Sequence, residues 1–109
     1  MASYTFLYSL PLNSEMIGAS GTKREFVARF PIMASGGSLY ASYIWPRTLK
    51  NVPTVTITKI DIDFYGSATG DIRNADKNSV WIKITPPSSL QIENFNVYMG
   101  TIGLSVEFK

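Results

Sequence analysis

Two carboxylates stand two residues apart, at Asp61 and Asp63, in the segment Thr54–Gly66, TVTITKIDIDFYG. In an extended strand, residues two apart project from the same face, about 6.6–7 Å apart. Glycoside hydrolases use paired carboxylates at about this separation, but their pair flanks the scissile bond from opposite sides. Neighbours on one strand do not, and no apolar pocket that would raise one pKa is evident. We therefore interpret the pair as a polar contact with a ligand or partner, or as a solvated strand face, and not as a catalytic pair.

Oxygen-bearing side chains are also concentrated in Gly70–Asn78, GDIRNADKN. Carboxylate and amide oxygens are the hard ligands that Ca²⁺ prefers. Here they are Asp71, Asn74, Asp76 and Asn78. Their spacing is not that of an EF-hand loop, and Asn, Asp and Gly are also what turns require. We therefore predict a turn-rich polar loop over residues 66–78, assign no metal to it, and select Asp71 and Arg73 as side chains that contact a partner.

The aromatic residues are the third candidate group. Tyr40, Tyr43 and Trp45 lie within one short segment, and Trp81 is opposite in phase to its aliphatic neighbours Val80, Ile82 and Ile84. If those aliphatic residues face the core, Trp81 faces outward. Exposed rings of this kind stack on sugars, whose hydroxyls are bound by Asp, Asn and Arg, or they are buried between subunits or within the domain. We select Tyr43, Trp45 and Trp81 as candidate stacking platforms.

The chain has 109 residues and contains neither cysteine nor histidine. The absence of cysteine excludes disulfides, thiolate nucleophiles and cysteine-based metal sites. The absence of histidine excludes Ser-His-Asp triads, Cys-His dyads and histidine-ligated metals. No glycine-rich phosphate loop is present, and no nucleophile has a recognisable base. We therefore expect a protein that is not an enzyme and that needs no cofactor.

Charged residues make up 17% of the chain, and the formal net charge is +2. The basic residues are scattered, with Lys23–Arg24 as the only adjacent pair, whereas nucleic-acid binders gather theirs into a stripe. No segment approaches the roughly 20 apolar residues of a membrane span, and the N-terminus lacks the basic region of a signal peptide. Sparse charge with abundant Ser and Thr is typical of secreted, surface or virion modules. We therefore expect no nucleic-acid partner and no membrane insertion.

Strands must position all of these side chains, because alternation of apolar and polar residues dominates the chain and helical spacing is absent. Thr, Val, Ile, Tyr and Phe fill the periodic segments, as pleated and half-buried surfaces favour. Strands are predicted over residues 3–10, 23–32, 38–45, 54–65, 80–84 and 97–108, with a short segment at 90–93. Gly and Pro turns separate them. We predict one all-β domain over residues 1–109, an antiparallel β-sandwich or jelly-roll-like barrel of seven or eight strands.

The strand that carries the two carboxylates changes phase. Its apolar residues fall first on odd positions and then on even ones: Val55, Ile57, Ile60, Ile62 and Phe64. One inserted residue exchanges the two faces of a strand, so we predict a β-bulge or a corner between sheets at Thr58–Lys59. The alternative is a central strand with both faces partly covered.

The stretch from Phe26 to Asp61 contains the segments FVARFPIM, YASYIWP and VPTVTITKI, and the chain finishes in the strand MGTIGLSVEFK. In the residue pattern and order of these segments, the chain resembles the C-terminal head or tip domains of bacteriophage tail fibres and receptor-binding proteins. The resemblance implies a small all-β domain, generally trimeric, that binds host-surface saccharides. It transfers no binding residue to this chain, which also lacks the histidine that some of these heads place in the sugar site.

We therefore expect a carbohydrate-recognition head domain of a phage tail or tail-like structure, located on the virion tail outside the cell, or otherwise a secreted or surface protein. The expected partners are a host cell-surface saccharide and other copies of the chain, in a homotrimer whose linked sites add avidity. The expected ligand-binding residues are Tyr43, Trp45, Trp81, Asp61, Asp63, Asp71 and Arg73. The alternative is a structural or assembly domain of a virion or surface complex, without a small ligand, whose aromatic faces are subunit contacts.

Overall fold

The computed structural model describes residues 12–93 and 96–109, so the strand predicted at residues 3–10 lies outside the described residues. Within those ranges the chain forms one short 3-10 turn, Ser14–Met16, and seven strands, and it has no α-helix. The strands are β1 (Lys23–Ser35), β2 (Ser38–Ile44), β3 (Thr54–Ile62), β4 (Gly66–Ser67), β5 (Thr69–Ala75), β6 (Ser79–Thr85) and β7 (Val97–Glu107). The predicted all-β class is confirmed.

The seven strands belong to one antiparallel sheet, in the order β4-β3-β7-β1-β2-β6-β5. The sheet is curled into a half-barrel, consistent with the predicted sandwich or barrel-like architecture. The curl brings β5 close to β3, and Gly70 permits this approach. A Cβ atom at Gly70 would lie 2.8 Å from Ile60 Cδ1 and 2.9 Å from the Lys83 carbonyl oxygen. One face of the sheet is therefore enclosed, and the other faces solvent.

The enclosed face carries a continuous apolar core. The central strands contribute every second residue to it, as the period of two requires. Burying a Val, Leu or Ile side chain contributes about 1.5–3 kcal/mol, so the alternation decides which face turns inward. Among the described residues, the Val, Leu and Ile side chains that are at most 1% exposed are Ile32, Leu39, Ile62, Val80, Ile82, Ile84, Ile102, Leu104 and Val106.

The change of phase in β3 has the predicted cause. The pairing of β3 with β7 shifts register between Ile57 and Lys59, which identifies Thr58 as the extra residue of a β-bulge. Gly103 of β7 faces the bulge, and a Cβ atom there would lie 2.5 Å from Thr58 Oγ1. The bulge lets Ile57 and Ile60 both pack against the core although they are three residues apart.

Two segments differ from the prediction. Residues 66–78, predicted as a turn-rich loop, contain β4 and β5 instead. β5 pairs with β6 from Thr69 to Ala75, so pairing with a strand that is already buried overrides a local sequence rich in Gly, Asp and Asn. Residues 90–93 form no strand, although Leu90 packs in the core.

Candidate functional site

The solvent-facing side of the sheet contains an open groove with a volume of about 610 Å³. It lies across β7, β1, β2, β6 and β5, and its lining is mostly apolar and aromatic but includes Ser, Arg and Asn residues. We call it the Trp81 groove. Its principal side chains are Met33, Tyr40, Arg73, Asn74, Trp81 and Val97.

Strand register builds one side of the Trp81 groove. Val97 pairs with Met33, and Met33 pairs in turn with Tyr40. Tyr40 pairs with Lys83, and Lys83 pairs with Asp71. Because directly opposed residues have Cβ atoms about 4.5–5.5 Å apart, these five side chains form a row across five strands. Val97, Met33 and Tyr40 of this row line the groove, and the row continues beyond it to Lys83 on β6 and Asp71 on β5.

Trp81 forms the other side of the groove. Its side chain is 47% exposed, which confirms that it faces outward from β6. It stands opposite Ser42 on β2 and Asn74 on β5. The pairing of β5 with β6 shifts register between Ile72 and Asn74, so a bulge inserts Arg73 there. Successive strand residues normally point to opposite faces, but here Arg73 and Asn74 are both exposed and both line the groove.

This arrangement combines one flat indole surface with donors and acceptors of fixed position. The Trp81 ring offers an apolar face for stacking. The Arg73 guanidinium can only donate hydrogen bonds, whereas the Asn74 amide and the Ser42 hydroxyl can donate and accept. Such a set suits a ligand with one apolar face and hydroxyl groups along its edge.

Tyr43 and Trp45 do not belong to this groove, contrary to the expectation that they are stacking platforms. Trp45 is 3% exposed, and its Nε1–H donates to the Asp76 carbonyl oxygen at 3.0 Å. Tyr43 is half-buried, 5.6 Å from the Trp45 ring and 5.1 Å from the Phe26 ring between centroids. Its hydroxyl donates to the Leu12 carbonyl oxygen at 3.3 Å. These contacts make both aromatic side chains part of the interior, and burial raises the pKa of the Tyr43 phenol.

Asp61 and Asp63 do not line the Trp81 groove. They belong to β3 and the turn that follows it, and three strands lie between β3 and β6 in the order of the sheet. The Asp63 carboxylate accepts two hydrogen bonds from the Arg29 guanidinium, at 2.8 and 2.5 Å. This pairing lowers the pKa of Asp63. Asp61 is exposed on the outer face opposite Thr101. The structure therefore separates these two carboxylates from the predicted aromatic platform.

Asp71 and Arg73 lie on β5 and not in a loop, and they are close to Trp81 as part of one outer face. Asp76 is occupied structurally, since its Oδ1 accepts from the backbone N–H groups of Asn78 and Ser79 at 2.7 and 2.8 Å. In residues 12–93 and 96–109, no group of three or more Asp, Glu, His or Cys side chains is arranged to hold a metal ion. Across the same residues, no helix has the length and apolar character needed to cross a membrane.

Sequence reasoning missed several residues of the groove. Tyr40 and Met33 occupy outward-facing positions of β2 and β1, and the alternation of apolar and polar residues in those strands could have indicated this orientation. Asn74 gave no such signal, because its orientation follows from the bulge in β5. Phe64, predicted to continue the apolar face of β3, is instead in the turn after it and is fully exposed.

No protein-family model matches the chain, and no curated protein and no solved structure is similar to it.

Proposed function

We propose that this protein is a non-enzymatic carbohydrate-recognition domain that binds a saccharide in the Trp81 groove. The observation that carries the proposal is the half-exposed indole ring of Trp81 next to Arg73 and Asn74, the two outward side chains at the bulge in β5. The ring would stack on the apolar face of a sugar, and the guanidinium and amide groups would bond its hydroxyls.

The biological role that we propose is host attachment, as the head domain of a phage tail or tail-like structure that recognises a host cell-surface saccharide. Its support is the resemblance of the segments FVARFPIM, YASYIWP and VPTVTITKI, together with the all-β half-barrel. An open groove of this kind binds one sugar weakly, so the proposed active form is a homo-oligomer, a trimer by that resemblance. Several linked sites raise the effective concentration of each further contact.

The test is glycan-array binding followed by titration calorimetry with the best glycan. Trp81→Ala should weaken binding about tenfold or more, because it removes the stacking surface, whereas Trp81→Phe should retain part of the affinity. Ile44→Thr is the matched control, since Ile44 is another exposed strand residue that does not line the groove. Circular dichroism verifies that each variant is folded.

Two results would contradict saccharide recognition in this groove. One is the absence of glycan binding by the unmodified protein at every density on the array. The other is a Trp81→Ala variant with the affinity of the unmodified protein, which would place the ligand elsewhere.

The second candidate is an assembly domain without a small ligand. The observation that favours it is the number of large apolar side chains exposed outside the groove, among them Val52, Phe64 and Met99. Exposed apolar side chains are often subunit contacts. An oligomer detected by light scattering, combined with no signal on the glycan array, would support this candidate over the first.

A further inference from the structure

The turn after β3 exposes a phenylalanine in an unfavourable backbone conformation. Phe64 has φ +74, a region that bulky L-residues rarely adopt, and its side chain is 102% exposed. The turn is closed by a hydrogen bond from the Tyr65 N–H to the Ile62 carbonyl oxygen at 3.0 Å. An apolar ring held outward by strained backbone often marks a functional contact. Within the described chain, nothing covers this ring.

The surroundings of Phe64 combine one exposed carboxylate with apolar groups. The Asp63 carboxylate is bonded to Arg29 of the same molecule, whereas the carboxylate of Asp61, three residues before Phe64, is exposed. Met99, also exposed, is adjacent, since its carbonyl oxygen accepts from the Asp63 N–H at 3.0 Å. We call residues 61–66 the Phe64 turn. It presents an exposed aromatic ring and the exposed Asp61 carboxylate.

A cleft with complementary character lies between the loop that precedes β3, the loop that precedes β1, and the residues that follow β7. Its volume is about 640 Å³, enough for an aromatic side chain with its flanking residues. Its floor is apolar and its margin is basic, and the described residues that line it include no carboxylate side chain. The floor residues are Ile17, Leu49 and Phe108, and the basic residues are Arg47, Lys50 and Lys109. We call it the basic cleft.

The turn and the cleft lie at opposite ends of one strand. Residues 47–51 of the cleft precede Thr54, the first residue of β3, and Phe64 follows Ile62, the last. Nine extended residues span roughly 30 Å, so one molecule cannot place its own Phe64 in its own cleft. A second molecule displaced along the strand direction can.

We propose that the Phe64 turn of one copy docks in the basic cleft of a second copy. The Phe64 ring is then buried against Leu49 and Phe108, and the exposed Asp61 carboxylate meets Arg47 and Lys50. Opposite charge steers and orients the contact, and apolar burial supplies affinity. The contact is heterologous, so repetition closes a ring when the rotation allows it and otherwise extends a filament.

This contact leaves the Trp81 groove accessible, because the turn and the cleft share no lining residue with it. It does not depend on saccharide binding. A head-to-tail oligomer would display several grooves, one from each copy.

Two variants remove one side of the contact each. Phe64→Asn removes the ring and places there a residue that tolerates positive φ, so the fold is retained. Arg47→Glu/Lys50→Glu reverses the charge at the exposed margin of the cleft. Ile44→Thr is the control for loss of an exposed apolar side chain elsewhere. Sedimentation velocity over a concentration series measures association.

We expect the unmodified protein and Ile44→Thr to form oligomers, and each of the other two variants to associate more than about tenfold more weakly. A mixture of the two weakened variants retains one intact Phe64 turn and one intact basic cleft, so it should form dimers and nothing larger. Glycan binding per monomer should be unchanged in Phe64→Asn, which separates failure of this contact from failure of saccharide recognition.

Three outcomes overturn the proposal. They are a monomeric unmodified protein at its highest soluble concentration, undiminished association of Phe64→Asn, and a mixture of the two variants that stays monomeric. A mixture that forms oligomers larger than dimers would also contradict a single heterologous contact.

Discussion

Replacement of Trp45 by alanine tests the largest difference between the expected site and the structure. Trp45 is 3% exposed, its ring packs edge-on against Tyr43 at 5.6 Å, and its Nε1–H bonds the Asp76 carbonyl oxygen at 3.0 Å. Its backbone N–H also donates to the Asn78 carbonyl oxygen at 2.9 Å. The side chain therefore joins the segment after β2 to the turn before β6.

The expected loss of stability follows from these contacts. Truncation of a buried aromatic residue to alanine costs about 3–5 kcal/mol, including the cavity left behind. The Asp76 carbonyl loses its indole donor, which adds about 0.5–1.5 kcal/mol. The total of roughly 3.5–6.5 kcal/mol is comparable to the entire stability of a marginally stable small domain, whose range is about 5–15 kcal/mol. Trp45→Phe keeps most of the apolar volume and should cost about 1–3 kcal/mol.

Urea unfolding followed by far-ultraviolet circular dichroism measures these changes without relying on tryptophan fluorescence. Trp81→Ala is the matched control, because it removes the same side chain from an exposed position and should change stability by less than about 1 kcal/mol. Equal losses in the two variants, or a loss below about 1 kcal/mol in Trp45→Ala, would refute the assignment of Trp45 to the core.

Two further changes probe the packing and the electrostatics of the fold. Gly100→Ala should lower the free energy of unfolding by about 1–3 kcal/mol, because its Cβ would lie 2.9 Å from the Asp61 carbonyl oxygen in the neighbouring strand. Gly36→Asn is the tolerated control, since Gly36 has φ +59 and open space around it. An undiminished melting temperature for Gly100→Ala would contradict the close pairing of β3 and β7. Asp76→Asn should lower the urea midpoint at pH 7. Backbone N–H groups two and three residues later lower the pKa of Asp76 below its ordinary value of 3.8, so the carboxylate stabilises the fold above that pH and the contribution is lost as the pH falls through the lower folded pKa. The difference in urea midpoint between Asp76→Asn and the unmodified protein should therefore shrink on acidification below about pH 4. A difference in urea midpoint that stays constant with pH would show that the charge of Asp76 has no role.

The sequence by itself determined the all-β class, the core faces of β1, β6 and β7, and the bulge in β3. These features depend on a period of two that any strand imposes on its own side chains, whatever its partners are. The outward orientation of Trp81 follows from the same local rule.

Only the tertiary structure decided which candidate residues meet. Trp45 follows β2 in the phase of Leu39 and Tyr43, and packing decides which of the two phases is enclosed. In the structure this phase faces the core, and the Trp45 indole bonds the turn before β6. The strand order places three strands between β3, which carries Asp61, and β6, which carries Trp81, because neighbours in a sheet are set by topology and not by local pattern. β5 forms from a polar sequence since β6 offers it a buried partner, and its bulge then turns Arg73 towards the groove. Which side chains share a surface depends on contacts between residues distant in the chain, and no local periodicity encodes those contacts.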